Sequence, residues 1–143
     1  IRVPAIAWWP GVVEAGQSSN HISGFQDMMP TLAELAGLEA PEEIDGISMV
    51  PILTSEGNQR QHEYLYWEFH EQGGKQAVRK GDWKAVRLNV REDRHSPIEL
   101  YNLAEDPGEE NDISADHPEI IEEMEQIFKE AHTPSKVFKL FDN

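Results

Sequence analysis

The sequence has 143 residues and contains no cysteine. Disulfide bonds, thiolate metal sites and a cysteine nucleophile are therefore excluded, and the redox compartment stays undetermined. The sequence also lacks any run of eighteen apolar residues, so it predicts no membrane-spanning helix. A chain of this length can build one ordinary domain with a hydrophobic core but not two large ones.

Positive charge is scarce, because 12 Lys and Arg residues stand against 27 Asp and Glu residues and give a net charge of −15. Binding of nucleic acid or of anionic lipid depends on Lys and Arg that neutralise phosphates. We therefore expect no nucleic-acid partner and no membrane partner. Seven of the twelve cations nevertheless lie within residues 75–94, which we call the basic island: Lys75, Arg79, Lys80, Lys84, Arg87, Arg91 and Arg94.

Several catalytic motifs are also lacking. The sequence has no phosphate-binding loop, no dinucleotide fingerprint, no H-E-x-x-H zinc motif and no G-x-S-x-G nucleophile elbow. The six histidines lack the spacing that gathers metal ligands, so no metal site is predicted. Glu68 and Glu71 lie three residues apart along a strand and would point to opposite faces, which argues against a glycosidase pair.

Residues 64–88 contain three runs rich in aromatic and β-branched residues, separated by Gly73-Gly74 and Gly81-Asp82. Such runs with tight turns indicate antiparallel strands, and residues 98–103 form a fourth strand-like run. A helix with one apolar stripe follows, for which we expect an N-cap at Asp116 and a capping box with Glu119. The sequence therefore predicts an α+β fold, with a four-stranded antiparallel sheet and a packed C-terminal helix.

The N-terminal part has a different pattern. Residues 4–9 form an apolar run that predicts a strand buried on both faces, with Trp8 and Trp9 in a core. A helix with Asp27 as its N-cap follows and stops at Gly37. We interpret this strand-helix unit as the end of a larger α/β sheet, and the chain as an excised piece. Its first strand would then stay unpaired or pair with another copy.

The polar run at residues 54–63 is the expected internal boundary. It would separate residues 1–55, the end of an α/β catalytic domain, from residues 56–143, a C-terminal α+β subdomain.

The hairpin tip after the first strand is the best candidate for binding. It places His70, Glu71, Gln72 and Lys75 beside two glycines. A protonated histidine has donors on both ring nitrogens and can bind an anionic or hydroxyl-rich ligand. The alternative is an ordinary hairpin tip with solvated polar residues.

Several segments together resemble one family, the formylglycine-dependent sulfatases of the alkaline-phosphatase-like superfamily. Residues 2–11 resemble the end of the family's Glu-Gly-Gly-x-Arg-Val-Pro segment and the strand after it. Residues 27–37, which begin Asp-Met-Met-Pro-Thr-Leu, are similar to its Asp-Leu-Leu-Pro-Thr-Leu helix. Residues 45–48 resemble its Asp-Gly-x-Ser turn, and residues 77–84 and 99–109 resemble its C-terminal subdomain.

The resemblance implies a parent enzyme that hydrolyses sulfate esters, and carbohydrate sulfates are the expected substrates. Such enzymes use a formylglycine nucleophile, made from Cys or Ser in C-x-P-x-R or S-x-A-x-R, and a divalent metal that is usually calcium. No segment here fits either motif. The chain alone is therefore expected to be inactive, to have the parent's catalytic domain and a sulfated carbohydrate as partners, and to lend residues 70–75 to the substrate pocket. The family implies a periplasmic or secreted location.

Two other readings stay open. One is a stand-alone α+β module that binds an acidic glycan or has a structural role. The other keeps the superfamily but changes the reaction to the cleavage of phosphate esters or phosphodiesters, which two metal ions would assist.

Overall fold

The computed structural model describes residues 3–141. Ile1, Arg2, Asp142 and Asn143 lie outside the described residues, although the predicted domains and the resemblance of residues 2–11 include some of them. The chain divides into two compact units, Ile1–His62 and Glu63–Asn143, which are described separately. The assignment of residues 1–55 to a catalytic domain and 56–143 to a subdomain stays a prediction.

The C-terminal unit contains the predicted four-stranded antiparallel sheet. Its strands are β1 (Leu65–Phe69), β2 (Lys75–Lys80), β3 (Trp83–Leu88) and β4 (Ile98–Asn102), in the spatial order β1-β2-β3-β4. A two-residue turn joins β2 to β3, and its Gly81 has a φ of 58°, which glycine adopts without steric cost. The predicted α+β fold is confirmed.

Helix α3 (Pro118–Ala131) packs on one face of this sheet. Its residues Met124, Ile127 and Phe128 are buried together with Val78, Ala85, Ile98 and Leu100 from three strands. Burial of each large apolar side chain contributes roughly 1.5–3 kcal/mol, so this layer holds the unit together. The predicted stripe of the helix is therefore its core-facing side.

The start of α3 differs from the prediction. Asp116 lies in a short 3-10 turn (Ser114–Asp116), and His117 is the N-cap, without a side-chain capping bond. The predicted capping box between Asp116 and Glu119 was wrong, because Asp116 is not the N-cap. Pro118 at the first helical position begins the helix instead, since its ring presets φ and its missing N–H has no partner to lose there.

The N-terminal unit contains helix α1 (Met28–Leu35), preceded by a 3-10 turn (Phe25–Asp27), and the short helix α2 (Val50–Thr54). Gly37, with a φ of 71°, follows α1 as predicted, and its N–H donates to the carbonyl of Glu34. No helix within residues 3–141 is long and apolar enough to cross a membrane.

Residues 4–9 do not form the predicted strand and belong to no sheet among the described residues, which agrees with the expectation that this segment stays unpaired when the rest of the α/β sheet is missing. A strand needs a neighbour that pairs with its backbone N–H and C=O groups, and the sheet within residues 3–141 is formed by β1 to β4 alone. The apolar side chains are exposed instead of buried: Ile6 is 94% exposed, and Trp8 is 83% exposed. The prediction that Trp8 and Trp9 lie in a core was wrong for this chain.

Candidate functional site

The hairpin between β1 and β2 is a tight, sterically constrained tip. Gln72, Gly73 and Gly74 all have positive φ, and the N–H of Gly74 donates to the carbonyl of Glu71 at 3.1 Å. A Cβ on Gly73 would lie 2.6 Å from Oδ1 of Asn89, and one on Gly74 would lie 2.9 Å from a methyl group of Val90. The two glycines are required here because this turn approaches the next loop closely.

Backbone hydrogen bonds join the tip to the loop between β3 and β4. Val90 N–H donates to the carbonyl of Gly74 at 3.2 Å, and Arg91 N–H donates to the carbonyl of Gly73 at 3.0 Å. Val90 is buried beneath this contact. The two loops therefore form one structure at this end of the sheet.

The structure brings the four predicted site residues together on this tip. Glu71 and Gln72 are exposed, while His70 and Lys75 are partly buried. The ammonium of Lys75 donates to Oε1 of Gln72 at 3.0 Å and lies 5.6 Å from the ring centroid of Phe69. Whether these residues bind a substrate stays a prediction.

His70 lies against a polar network on the helix-facing side of the sheet. Its Nε2 is 3.7 Å from Oε2 of Glu68 and is buried without a hydrogen-bond partner among the described residues. Oε1 of Glu68 accepts from Nδ1 of His132 at 2.6 Å and from the hydroxyl of Tyr66 at 2.5 Å. The Tyr66 hydroxyl also accepts from Nε2 of Gln76 at 2.7 Å.

This network keeps Tyr66 in its neutral form. Burial, and then the hydrogen bond to Glu68, raise the pKa of Tyr66 well above its usual value. The phenol can therefore act as a donor to the Glu68 carboxylate. Glu68 in turn bonds to His132 at the end of α3 and lies 3.7 Å from Nε2 of His70, without a hydrogen bond to it.

No position for the C-terminal segment, residues 132–141, was predicted from the sequence, yet this segment contacts the tip. Phe138 makes an edge contact with His70, with ring centroids 6.3 Å apart, and Phe141 makes one with His132 at 4.9 Å. Leu140 is fully buried, and Arg91 donates to the carbonyl of Lys139 at 3.3 Å. Four apolar residues in the sequence of this tail, Val137, Phe138, Leu140 and Phe141, were the signal that the segment folds back.

The basic island is not a continuous positive surface. Lys80, Lys84 and Arg87 form ion pairs with carboxylates of Glu123, Glu109 and Glu125. Arg87 also stacks on the Phe128 ring, 5.2 Å from its centroid. Three of the seven cations of the basic island are therefore neutralised by carboxylates of the same unit.

The N-terminal unit holds a second polar cluster, around Asp27, which is 1% exposed. Its carboxylate accepts from Gly24 N–H at 2.7 Å, from Ile47 N–H at 2.7 Å and from Nε2 of His62 at 2.8 Å. The side chain makes no capping bond to α1. The predicted N-cap position is thus correct, but the carboxylate joins three segments instead of capping the helix.

An open groove of about 1010 Å³ lies beside α1 in the same unit. Its lining is largely apolar and includes Trp9, Leu32, Leu35, Met49 and Leu53. Residues 3–141 contain no group of three or more His, Asp or Glu side chains arranged to hold a metal ion.

Comparison with known proteins gives the family. The family described as "N-sulphoglucosamine sulphohydrolase, C-terminal" matches residues 1–134. Arylsulfatase A of Bos taurus is 31% identical over 150 residues, covering 91% of this chain and 29% of that protein. N-acetylglucosamine-6-O-sulfatase of Bacteroides thetaiotaomicron is 30% identical over 145 residues, covering 94% of this chain and 25% of that protein.

A solved structure supports the same relationship. It shows a protein in complex with its substrate, D-glucosamine-2-N,6-O-disulfate, and is 28% identical, with a TM-score of 0.71 over 86% of this chain and 26% of that protein. The match thus spans 29% and 25% of the length of these two sulfatases. Together, these matches show that the chain belongs to a family of sulfatase C-terminal regions, the one described as "N-sulphoglucosamine sulphohydrolase, C-terminal".

Proposed function

We propose that this chain is the C-terminal part of a sulfatase that hydrolyses sulfate esters of carbohydrates, and that its N-terminal unit packs against the remainder of the catalytic domain of the same protein. The observation that carries the proposal is the apolar surface of the N-terminal unit. Ile6, Trp8, Phe25, Met29 and Leu32 are all more than half exposed. So many exposed large apolar side chains are typical of an interaction surface, and relatives three to four times longer offer a domain to cover it.

The second part of the proposal assigns the tip to the rim of the substrate pocket. His70, Gln72 and Lys75 supply hydrogen-bond donors, and Glu71 supplies an acceptor for a sugar hydroxyl. This donor and acceptor set suits a sulfated sugar. His70 lies 3.7 Å from Glu68 and contacts the ring of Phe138, and its Nε2 has no hydrogen-bond partner among the described residues, so this nitrogen can meet a ligand.

The hydrolytic chemistry would lie in the remainder of the protein. The sequence contains neither C-x-P-x-R nor S-x-A-x-R. We therefore assign the formylglycine nucleophile and the calcium ion to the remainder of the catalytic domain. By the same family resemblance we propose a periplasmic or secreted location.

The chain alone is expected to be inactive. The purified chain would be incubated with an aryl sulfate, with and without calcium, and product release would be followed by absorbance. No turnover is expected in either condition, since the nucleophile motif is missing from the sequence. Turnover above the uncatalysed rate would contradict the assignment. Turnover of an aryl phosphate by the complete protein, without turnover of the sulfate, would favour the phosphatase alternative.

The role of the tip is tested in the complete enzyme that contains this chain. His70→Ala should lower kcat/KM on a natural sulfated glycan about tenfold more than on a small aryl sulfate, because only the larger substrate reaches the tip. Arg79→Ala is the matched control, since Arg79 lies at the opposite end of β2 and should leave both substrates unaffected. Equal losses on the two substrates would show that His70 does not contact the sugar.

A further inference from the structure

Within residues 3–141, three buried side-chain atoms have no hydrogen-bond partner: Nε2 of His70, Oε1 of Gln76 and Nε of Arg87. The first belongs to the hairpin tip. The other two belong to residues that are 2% and 6% exposed and that are direct partners in the antiparallel pairing of β2 with β3. Buried polar atoms without a partner are costly and rare in folded proteins. An unpaired acceptor beside an unpaired donor therefore indicates a bound group that satisfies both.

Both side chains lie between the sheet and α3. Gln76 is two residues before Val78, and Val78 belongs to the core that α3 covers. Arg87 is two residues after Ala85 of the same core, and its guanidinium lies 5.2 Å from the ring centroid of Phe128 on α3. Since side chains alternate along a strand, Gln76 and Arg87 point to this same face. Antiparallel partners have Cα atoms about 4.5–5.5 Å apart, so the two side chains are neighbours there.

The charge of Glu68 decides which way the amide of Gln76 points. An ionised carboxylate only accepts hydrogen bonds, so the Tyr66 hydroxyl donates its single proton to Oε1 of Glu68, at 2.5 Å. The Tyr66 oxygen is then left as an acceptor, and Nε2 of Gln76 donates to it at 2.7 Å. A reversed amide would bring two acceptors together. Oε1 of Gln76 therefore points away from Tyr66 and needs a donor from elsewhere.

The guanidinium of Arg87 needs an acceptor for its inner nitrogen. Nη1 donates to the carbonyl of Arg94 at 3.2 Å, and Nη2 donates to Oε1 of Glu125 at 3.3 Å. Nε carries one N–H and cannot become an acceptor, because arginine stays protonated in proteins. A group that bonds to both atoms must thus accept from Arg87 and donate to Gln76. A water molecule does both, whereas an anion only accepts and a cation would be repelled by the guanidinium.

We propose that a buried water molecule binds between Oε1 of Gln76 and Nε of Arg87 and closes a hydrogen-bonded path between α3 and the sheet. The path joins six side chains in the order His132, Glu68, Tyr66, Gln76, Arg87 and Glu125, with the water between Gln76 and Arg87. Glu125 and His132 are seven residues apart, about two turns of α3. The path therefore holds α3 to β1, β2 and β3 at two points, with the directed bonds that apolar packing lacks.

The test looks for this water in the 143-residue chain by NMR and by crystallography. A water that stays bound while the protein tumbles gives a nuclear Overhauser effect of opposite sign to that of surface water, and rotating-frame spectra separate it from chemical exchange. The Nε–H proton of Arg87 should show this effect. Arg79 is the control, because its Nε donates to the carbonyl of Gly81 at 3.1 Å in an exposed bond and should show none. Crystals grown with bromide would reveal an anion by its anomalous signal.

A variant removes the acceptor while keeping its volume. Gln76→Met should raise the unfolding equilibrium constant about tenfold, since the bonds to Tyr66 and to the water are lost. The water signal at the Nε–H of Arg87 should disappear in the same variant. Gln126→Met is the matched control, because Gln126 also donates through Nε2, to Glu130 at 2.6 Å, but is exposed on α3. It should change neither the unfolding equilibrium nor the Arg87 signal.

Any one of three results would overturn the proposal: no long-lived water contact at the Nε–H of Arg87, a high-resolution crystal structure without density for a water bonded to both atoms, or a bromide peak at this position. The first two measurements use the parent chain, so they decide the matter even if Gln76→Met fails to fold. The outcome is separate from that of the proposed function, because the site lies within the C-terminal unit and involves no substrate.

Discussion

Replacement of Asp27 by Asn should destabilise the N-terminal unit, because the buried carboxylate accepts three hydrogen bonds. Oδ1 accepts from the N–H of Ile47 and from His62, and Oδ2 accepts from the N–H of Gly24. An amide has only one oxygen. With that oxygen directed at Ile47 and His62, the NH₂ group faces the N–H of Gly24, so that two donors oppose each other.

The magnitude follows from the number of bonds and their type. Hydrogen bonds to a charged group contribute about 1.5–3 kcal/mol each, and neutral ones about 0.5–1.5 kcal/mol. Asp27→Asn removes one charged bond and makes the other two neutral. The smaller cost of burying an amide than a carboxylate offsets part of this loss. We expect the free energy of unfolding to fall by about 2 kcal/mol, which lowers the urea midpoint by about 1 M at an m-value of about 2 kcal/mol/M.

The assay combines urea unfolding, followed by circular dichroism, with hydrogen exchange of the Ile47 amide. Exchange at Ile47 should accelerate in Asp27→Asn, since this amide loses its charged acceptor. Glu34→Gln is the control, because Glu34 is exposed on α1 and its replacement also removes one negative charge. The reasoning is refuted if both variants unfold at the same urea concentration and the protection of Ile47 does not change.

Two other predictions concern the C-terminal unit. Met124→Ala should lower its free energy of unfolding by about 2–5 kcal/mol, because the fully buried side chain packs between α3 and the sheet; calorimetry should show no such change for the exposed Val137→Ala. For Asp112, desolvation raises the pKa, but bonds from Leu100 and Ser114 outweigh it and lower the pKa overall. A lowered folded-state pKa stabilises the fold above the usual pKa of Asp, about 3.9, and this contribution disappears as the pH falls through the folded value. Between pH 5 and pH 2, the free energy of unfolding should therefore fall less in Asp112→Asn than in the parent chain. An equal fall in both chains, measured by urea unfolding at each pH, would contradict this.

The sheet and α3 could be predicted because their signals are local. Alternating β-branched and aromatic residues, with glycine at the turns, placed β1, β2 and β3 within residues 64–88. The apolar stripe and Pro118 placed α3. Each signal is contained in the element itself or in the residues at its ends, so the prediction did not depend on distant partners.

The fate of residues 4–9 could not be predicted in the same way. An apolar run indicates a strand only if another strand pairs with it, and the described residues supply none. The role of Asp27 likewise depended on tertiary structure, because its partners Ile47 and His62 follow it by 20 and 35 residues. A helix N-cap and a buried carboxylate that joins three segments have the same sequence signature.

The sequence alone determined the fold class, the place of the hairpin tip, the negative charge of the chain and its resemblance to sulfatases. Only the tertiary structure decided which cations form ion pairs and which remain at the tip, and that the C-terminal segment returns to His70. Glu68 and His132 are 64 residues apart in sequence and 2.6 Å apart in space. The physical reason is that secondary structure follows from neighbouring residues, whereas hydrogen bonds and ion pairs between side chains depend on which distant segments packing brings together.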